Sequence, residues 1–403
     1  MRRISWLAFA VLILANFGLQ TASTQISRKI DDSPWGKKPK AEPQPRTDGL
    51  ENPPATTPTV ATSAAAAPRV VDVPDGPRLM KTRVHVKLWQ NHSYWPPNSM
   101  LEQYHTTSWI PDIRFRVWGP LPGGSQFAAD VTRPDGSLWL SLDLPTQEIG
   151  AGRWLEVETP RDPPGGTKAF STGTGVYGFT IRLKNALTGQ NQSLFSGRFK
   201  VGKVDKSRGN AARKNVVTYY VDHDWTLPLG YVWGEETQAS NVHLHAAMWF
   251  KGVAGPKAAY LFYQGKQVAS TKESGSENSA VELSTFDNDT GDPRWERIDF
   301  TWYSANFTNP NATVHPSIFF LDKNPGDYEI KVLCGGALCR ETKFSIGPDG
   351  KIADNGLVAA NQLNITSVMV PVKVVGAADG QWQPTAWKTD AFYGNPLRGF
   401  TAP

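Results

Sequence analysis

His243 and His245, in the stretch NVHLHAAMW, stand two residues apart. On a strand that spacing puts both imidazoles on one face, where they could share a metal ion. Asp222, His223 and Asp224 in YYVDHDW would add ligands from a neighbouring strand end. Asp222, His223, His243 and His245 therefore form the candidate metal set, with zinc the fitting ion, and the chemistry they imply is that of a metal-assisted or carboxylate-dependent hydrolase. The ligand count and spacing are incomplete for that chemistry. Two solvent-facing histidines are the ordinary result of the same pattern, so no metal and no catalytic residue is expected.

A second cluster, FDNDTGDPRWE, gathers Asp287, Asp289 and Asp292 around Gly291. Oxygen ligands this close suit calcium. The order departs from the D-x-D-x-D-G loop, because glycine stands fifth and aspartate sixth, so a polar loop between strands is expected. Glu235 and Glu236 in WGEET lie beside aromatic residues, a setting that raises a carboxyl pKa. Adjacent carboxylates on an extended chain face opposite ways, which makes them a poor acid and base pair and favours a solvated loop. The sequence holds no G-x-S-x-G, H-E-x-x-H, phosphate-binding or dinucleotide motif.

Tryptophan is the most unusual feature of the composition, with 15 in the chain. Trp95, Trp225, Trp233, Trp302 and Tyr303 fall in or near inter-strand segments, where a flat ring can stack on a sugar or a peptide, and Trp295 lies in a similar place. These five are the candidate ligand-stacking residues, if exposed. Trp118 and Trp249 suit a core instead.

The two cysteines, Cys334 and Cys339, flank Gly-Gly-Ala-Leu between two alternating runs. A four-residue hairpin loop would set them opposite each other, within disulfide range. A redox pair uses C-x-x-C and a zinc site needs further ligands nearby, so a structural staple is expected.

Short alternating runs with turn residues between them fill the chain after Lys81, the pattern of antiparallel β-structure. Two series of these runs can be superposed. VWGPLPGG (117 to 124) matches MWFKGVAG (248 to 255), GVYGFTI (175 to 181) matches GDYEIKV (326 to 332), and GRFKVG (197 to 202) matches TKFSIG (342 to 347). Trp118 thus pairs with Trp249, Tyr177 with Tyr328, and Phe199 with Phe344. One domain occurring twice is expected, over 81 to 204 and 213 to 349. NPGDYEIKV resembles the penultimate strand of immunoglobulin-like β-sandwich domains, in which the tyrosine bonds back to upstream backbone as a tyrosine corner. The resemblance implies an all-β fold of two tandem immunoglobulin-like antiparallel sandwiches.

Ahead of these domains, Arg2 and Arg3 precede an apolar run, and small residues follow at Ala22 and Ser23. This is the pattern of a signal peptide over 1 to 23. The run is short for the ~20 apolar residues of a spanning helix, and no later segment is apolar enough to span. Residues 24 to 80, rich in Pro, Ala and Thr, read as a disordered spacer. Loss of Arg2 and Arg3 takes the formal charge from +5 to +3, too little to argue for nucleic acid. After Gly350, VMVPVKVV (368 to 375) contains Pro371, which demotes it to an edge strand in an extended arm over 350 to 403. An oxidising compartment fits the cysteine staple. The sequence therefore points to an exported, non-enzymatic binding or scaffolding protein, secreted, periplasmic or at the cell surface. Its partner would be a glycan or a protein held by loop aromatics.

Overall fold

The computed structural model describes residues 77–95, 103–149, 154–160, 166–205, 217–236, 241–252, 256–271, 279–282, 295–310 and 318–403. The expected leader, nearly all of the expected spacer and the Asp287, Asp289 and Asp292 loop lie outside the described residues. By compactness the chain divides at Pro68, and everything below concerns the unit Arg69–Pro403.

Nine strands come first: β1 (Arg78–Trp95), β2 (Gln103–Trp118), β3 (Ser125–Thr132), β4 (Leu138–Leu144), β5 (Thr146–Ile149), β6 (Trp154–Glu158), β7 (Gly175–Asn185), β8 (Asn191–Asp205) and β9 (Val217–Val221). They join in the order β4-β3-β7-β8-β9-β2-β6-β5, with β1 beside β2. Ten more follow: β10 (Leu229–Glu236), β11 (Val242–Lys251), β12 (Lys257–Tyr263), β13 (Lys266–Ser270), β14 (Ser279–Glu282), β15 (Trp295–Phe307), β16 (Phe319–Phe320), β17 (Gly326–Cys334), β18 (Ala337–Ile346) and β19 (Val368–Val374). Their order is β13-β12-β17-β18-β19-β10-β11-β15-β14, with β16 beside β15. All pairings are antiparallel except that of β15 with β16. The described chain is therefore all-β and sandwich-like, with only single helical turns such as Leu357–Ala360 and Ala391–Gly394.

Side-chain alternation explains the layers. In β7 the residues Tyr177, Phe179, Ile181 and Leu183 are buried, and in β17 so are Tyr328, Ile330, Val332 and Cys334. Each tyrosine faces a phenylalanine on the next strand. Tyr177 is in register with Phe199 and stacks on it at 5.7 Å, and Tyr328 is in register with Phe344 and stacks at 5.2 Å. The Tyr328 hydroxyl donates to the Asn324 carbonyl at 2.6 Å. A ring thus fills the core while its one polar atom is satisfied by backbone.

Cys334 and Cys339 are joined, with their Cα atoms 5.8 Å apart. They are not directly opposite. Cys334 faces Ala337, and a register shift at Val332 and Leu333 carries Cys339 into range. The turn is shorter than the expected four-residue loop. It is the pair Gly335 and Gly336, both at positive φ (57° and 92°), which suits the type I′ turn that follows strand twist.

Two expected boundaries move. Val217 to Val221 reads as the start of the second domain, yet β9 pairs along β8 and touches β2, so it completes the first sheet. The run at 368 to 374 reads as an edge strand, yet β19 has neighbours on both sides. Val368 to Pro371 pairs with β10, and Val372 to Val374 pairs with β18. The missing donor of Pro371 falls where the strand changes partner, so the residue that argues for an edge marks a corner instead. Gly230 allows the close approach, since a Cβ there would meet Val372 Cγ2 at 2.7 Å.

The residues after β19 return to the first sheet. Phe392 and Tyr393 join its core, and the Val86 N–H donates to the Tyr393 hydroxyl at 3.1 Å. Their path is fixed by Arg340, 0% exposed, whose guanidinium donates to Asp379 and to the carbonyls of Trp249 and Cys339.

Two substitutions test this arrangement by urea denaturation. Tyr328→Phe is expected to cost about 1–2 kcal/mol through the lost hydroxyl bond. Asp379→Asn leaves a buried guanidinium without its counter-charge and is expected to cost about 3–5 kcal/mol.

Candidate functional site

The sequence candidates separate into two places. Asp222 and His223 follow β9. Asp222 pairs with Lys200 at 3.2 Å, and its other oxygen accepts the Asp224 N–H at 3.0 Å. His223 is fully buried, edge-on to Trp295 and Tyr393 at 6.0 and 5.7 Å between ring centres. His243 and His245 lie far off. His223 touches the first residue of β15, whereas His243 is bonded to Asn306 near its last. Trp295 is in register with Lys251 and Asn306 with His243, so eight residues of β11 at about 3.3 Å each separate the two by roughly 26 Å. The four candidate ligands therefore do not converge, and among the described residues no group of three or more His, Cys, Asp or Glu is placed to hold a metal.

Two of the candidate stacking residues are interior. Trp302 is 0% exposed in the core of the second sheet, beside Phe300. Trp225 is 7% exposed and packs against Phe392 and Tyr393. Neither is a surface platform. Trp295 is likewise buried, its indole N–H donating to Asp224 at 2.9 Å. The side chain of Trp95 lies outside the described residues.

What remains comes together on one outward face. β10, β11 and β15 lie side by side, and their register sets Trp233 opposite His245 opposite Thr301. One step along, Glu235 faces His243, which faces Asn306. A register shift in β15 between these rows brings Tyr303 onto His243. Trp233 stacks on His245 at 5.3 Å and 15°, and Tyr303 meets His243 edge-on at 4.9 Å. Tyr303 is 46% exposed, Trp233 and His245 are half-buried, and Glu235 is exposed, whereas His243 is 4% exposed under Tyr303 and beside Asn306, so the two histidines are not both solvent-facing as the spacing suggests.

The polar atoms are ordered too. His243 Nδ1 lies 2.6 Å from Asn306 Oδ1, and an amide oxygen only accepts, so that nitrogen carries the proton. His245 Nδ1 lies 3.0 Å from the Thr301 hydroxyl. Trp233 Nε1 donates to Glu235 at 2.9 Å, which holds the carboxylate at the edge of the indole. Burial is the largest influence on His245 and lowers its pKa; Glu235 opposes this and His243 adds to it. The arrangement offers the uncovered face of Trp233 and the exposed Tyr303 ring, with the Glu235 carboxylate and the Thr301 hydroxyl beside them, the means to hold a polar ligand.

Sequence reasoning found Trp233, Tyr303 and both histidines, but not Asn306 or Thr301. Thr301 and Tyr303 are two apart on β15, which signals a shared face. Asn306 reads from sequence as a glycosylation sequon. It is 1% exposed and serves His243 instead.

No protein-family model matches the chain. No curated protein matches it. Among solved structures, a hypothetical protein from Parabacteroides merdae aligns over 74% of this chain and 98% of its own, at 7% identity and a TM-score of 0.17. That likeness is too small to carry fold or function.

The lowered pKa of His245 has a stability consequence. The folded state resists the proton that the unfolded chain accepts near pH 6.5. Stability from this residue is complete above that value and falls as the pH drops below it, until the folded ring also titrates. A ring-proton NMR titration is expected to place the His245 midpoint below that of a free histidine. His245→Gln is expected to flatten the loss of stability between neutral and mildly acidic pH.

Proposed function

We propose that this chain is an exported, non-enzymatic binding or scaffolding protein of two tandem immunoglobulin-like sandwiches, which holds a glycan on the outward face of β10, β11 and β15. The spacer at 24 to 80 carries the folded part away from an envelope surface. Support for the tandem reading comes from the stacked tyrosine and phenylalanine pairs at matching places, Tyr177 with Phe199 and Tyr328 with Phe344. Strand order supports it as well, since β4-β3-β7-β8-β9 runs parallel in sequence to β13-β12-β17-β18-β19.

The observation that carries the binding reading is the Trp233 indole, half-buried and stacked on His245, beside an exposed Tyr303. Large aromatic area left at a surface and rimmed by polar groups marks an interaction site. A saccharide fits because its C–H face stacks on an aromatic ring while its hydroxyls use both donors and acceptors. Thr301, half-buried, and Glu235, exposed, form such a polar border. No helix among the described residues is long and apolar enough to cross a membrane.

Retention of the full chain on a panel of insoluble polysaccharides tests this reading. At least one polymer is expected to retain the protein, with Trp233→Ala and Tyr303→Ala each weakening retention roughly 2- to 10-fold, the worth of one aromatic contact. Tyr303 is exposed, so its variant folds and separates binding from stability. Unchanged retention in both variants would remove this face from the reading.

A further inference from the structure

The charge around this face narrows the class of saccharide, an inference that rests on the glycan reading above. β10, β11 and β15 carry only two basic side chains, Lys251 and Arg297, both at the end away from Tyr303. Both are committed. Lys251 Nζ pairs with Asp224 at 2.8 Å, and Arg297 donates to both oxygens of Asp299 at 2.7 and 3.2 Å. At the open end the charged groups of these strands are Glu235 and Glu236, both exposed. Glu235 shares the face with Trp233, two residues away, whereas Glu236 points to the other side. The tether from Trp233 Nε1 holds the Glu235 carboxylate beside the ring and leaves it further acceptor sites. Burial lowers the pKa of His245, so that ring resists the proton a free histidine would accept.

We propose that this face takes an amino sugar polymer with free, protonated amines. The ammonium group lies between the Glu235 carboxylate and the face of Trp233 that His245 does not cover, and Tyr303 borders the bound sugar from across β11. Two attractions act on the same cation, the Coulomb term and the cation–π term. An acidic polysaccharide would set its carboxylate or sulfate against Glu235, while Lys251, Arg297 and the neighbouring Arg83 of β1 stand toward the Asp299 end of these strands. The Coulomb part is screened by salt, so the preference weakens as ionic strength rises.

Calorimetry with chitosan oligomers, their N-acetylated counterparts of equal length and polygalacturonate tests the proposal, at a pH that protonates the amines. The deacetylated oligomer is expected to bind tightest and the polygalacturonate not at all. Glu235→Gln is expected to weaken the deacetylated oligomer roughly 3- to 5-fold, the range of an exposed ion pair. It is expected to weaken the acetylated oligomer less, because that ligand carries no ammonium group for the carboxylate to meet. Glu236→Gln, on the opposite face, is expected to change neither. Equal binding of both oligomers, with Trp233→Ala losing both, would overturn the charge assignment and leave the glycan reading standing. If polylysine binds as well as chitosan, the sugar ring plays no part and the assignment falls to a cationic peptide. If no oligomer or polysaccharide binds, the glycan reading itself fails.

Discussion

A guanidinium with no solvent contact must have every donor answered, and the way Arg340 meets that demand fixes the course of the chain. It reaches back along β18 to the Cys339 carbonyl, sideways to the Trp249 carbonyl near the end of β11, and outward to both oxygens of Asp379. Asp379 also accepts the Lys251 N–H at 2.8 Å. Taking these charges out of water is costly unless all partners are in place together. The turn at residue 379 therefore has one position, pinned to two strands of the second sheet. Gln383, four residues on, donates its N–H to Asp224 at 2.8 Å, which brings in the segment after β9.

From that pin follows the seat of the last residues. With 379 to 383 held, Phe392 and Tyr393 arrive against Trp225 and His223, and Asn395 bonds the Ser196 carbonyl of β8 at 3.0 Å. Phe392 and Tyr393 both have positive φ, 42° and 56°. Residues with side chains adopt that conformation only when surrounding contacts over-determine it. Two buried rings and the Tyr393 hydroxyl bond to Val86 supply those contacts. The segment thus closes the second sheet with β19 and fills the core of the first with its aromatic end.

Local patterning and long-range placement were unequally legible in the sequence. Alternation in YGFTIRL and YEIKVL marks the strands because each buries one face, and the recurring tyrosine and phenylalanine pair is visible for the same reason. Pro371 misleads, since a missing donor excludes a residue from a continuous ladder but not from a corner between two partners. Val217 to Val221 misleads because it follows a gap in pattern, and only the register with β8 shows its sheet. Trp225 and Trp302 sit near turns in the sequence, yet their burial depends on residues tens to hundreds of positions away. The histidine pair was visible as a spacing. Its separation from His223 was not, because the length of β15 between them is a tertiary fact.

The strand β11 shows why the candidate site lies where it does. Leu244, Ala246, Met248 and Phe250 face the interior of the second sheet, while Ala247 and Trp249 face the core shared with the first. A strand covered on both sides reads as a continuous apolar run, which is what AAMWF is. Cover by the shared core ends before His245, which is half-buried, and there the positions on that side change from alanine and tryptophan to histidine, with His243 covered by Tyr303 of β15 instead. Trp233 stands at this limit, packed against the shared core on one side and half open on the other. Its position is therefore held by the same packing that joins the two sheets. The aromatic face consequently rests on a rigid element and not on a loop, and a ligand bound there meets side chains whose rotamers the junction has already restricted.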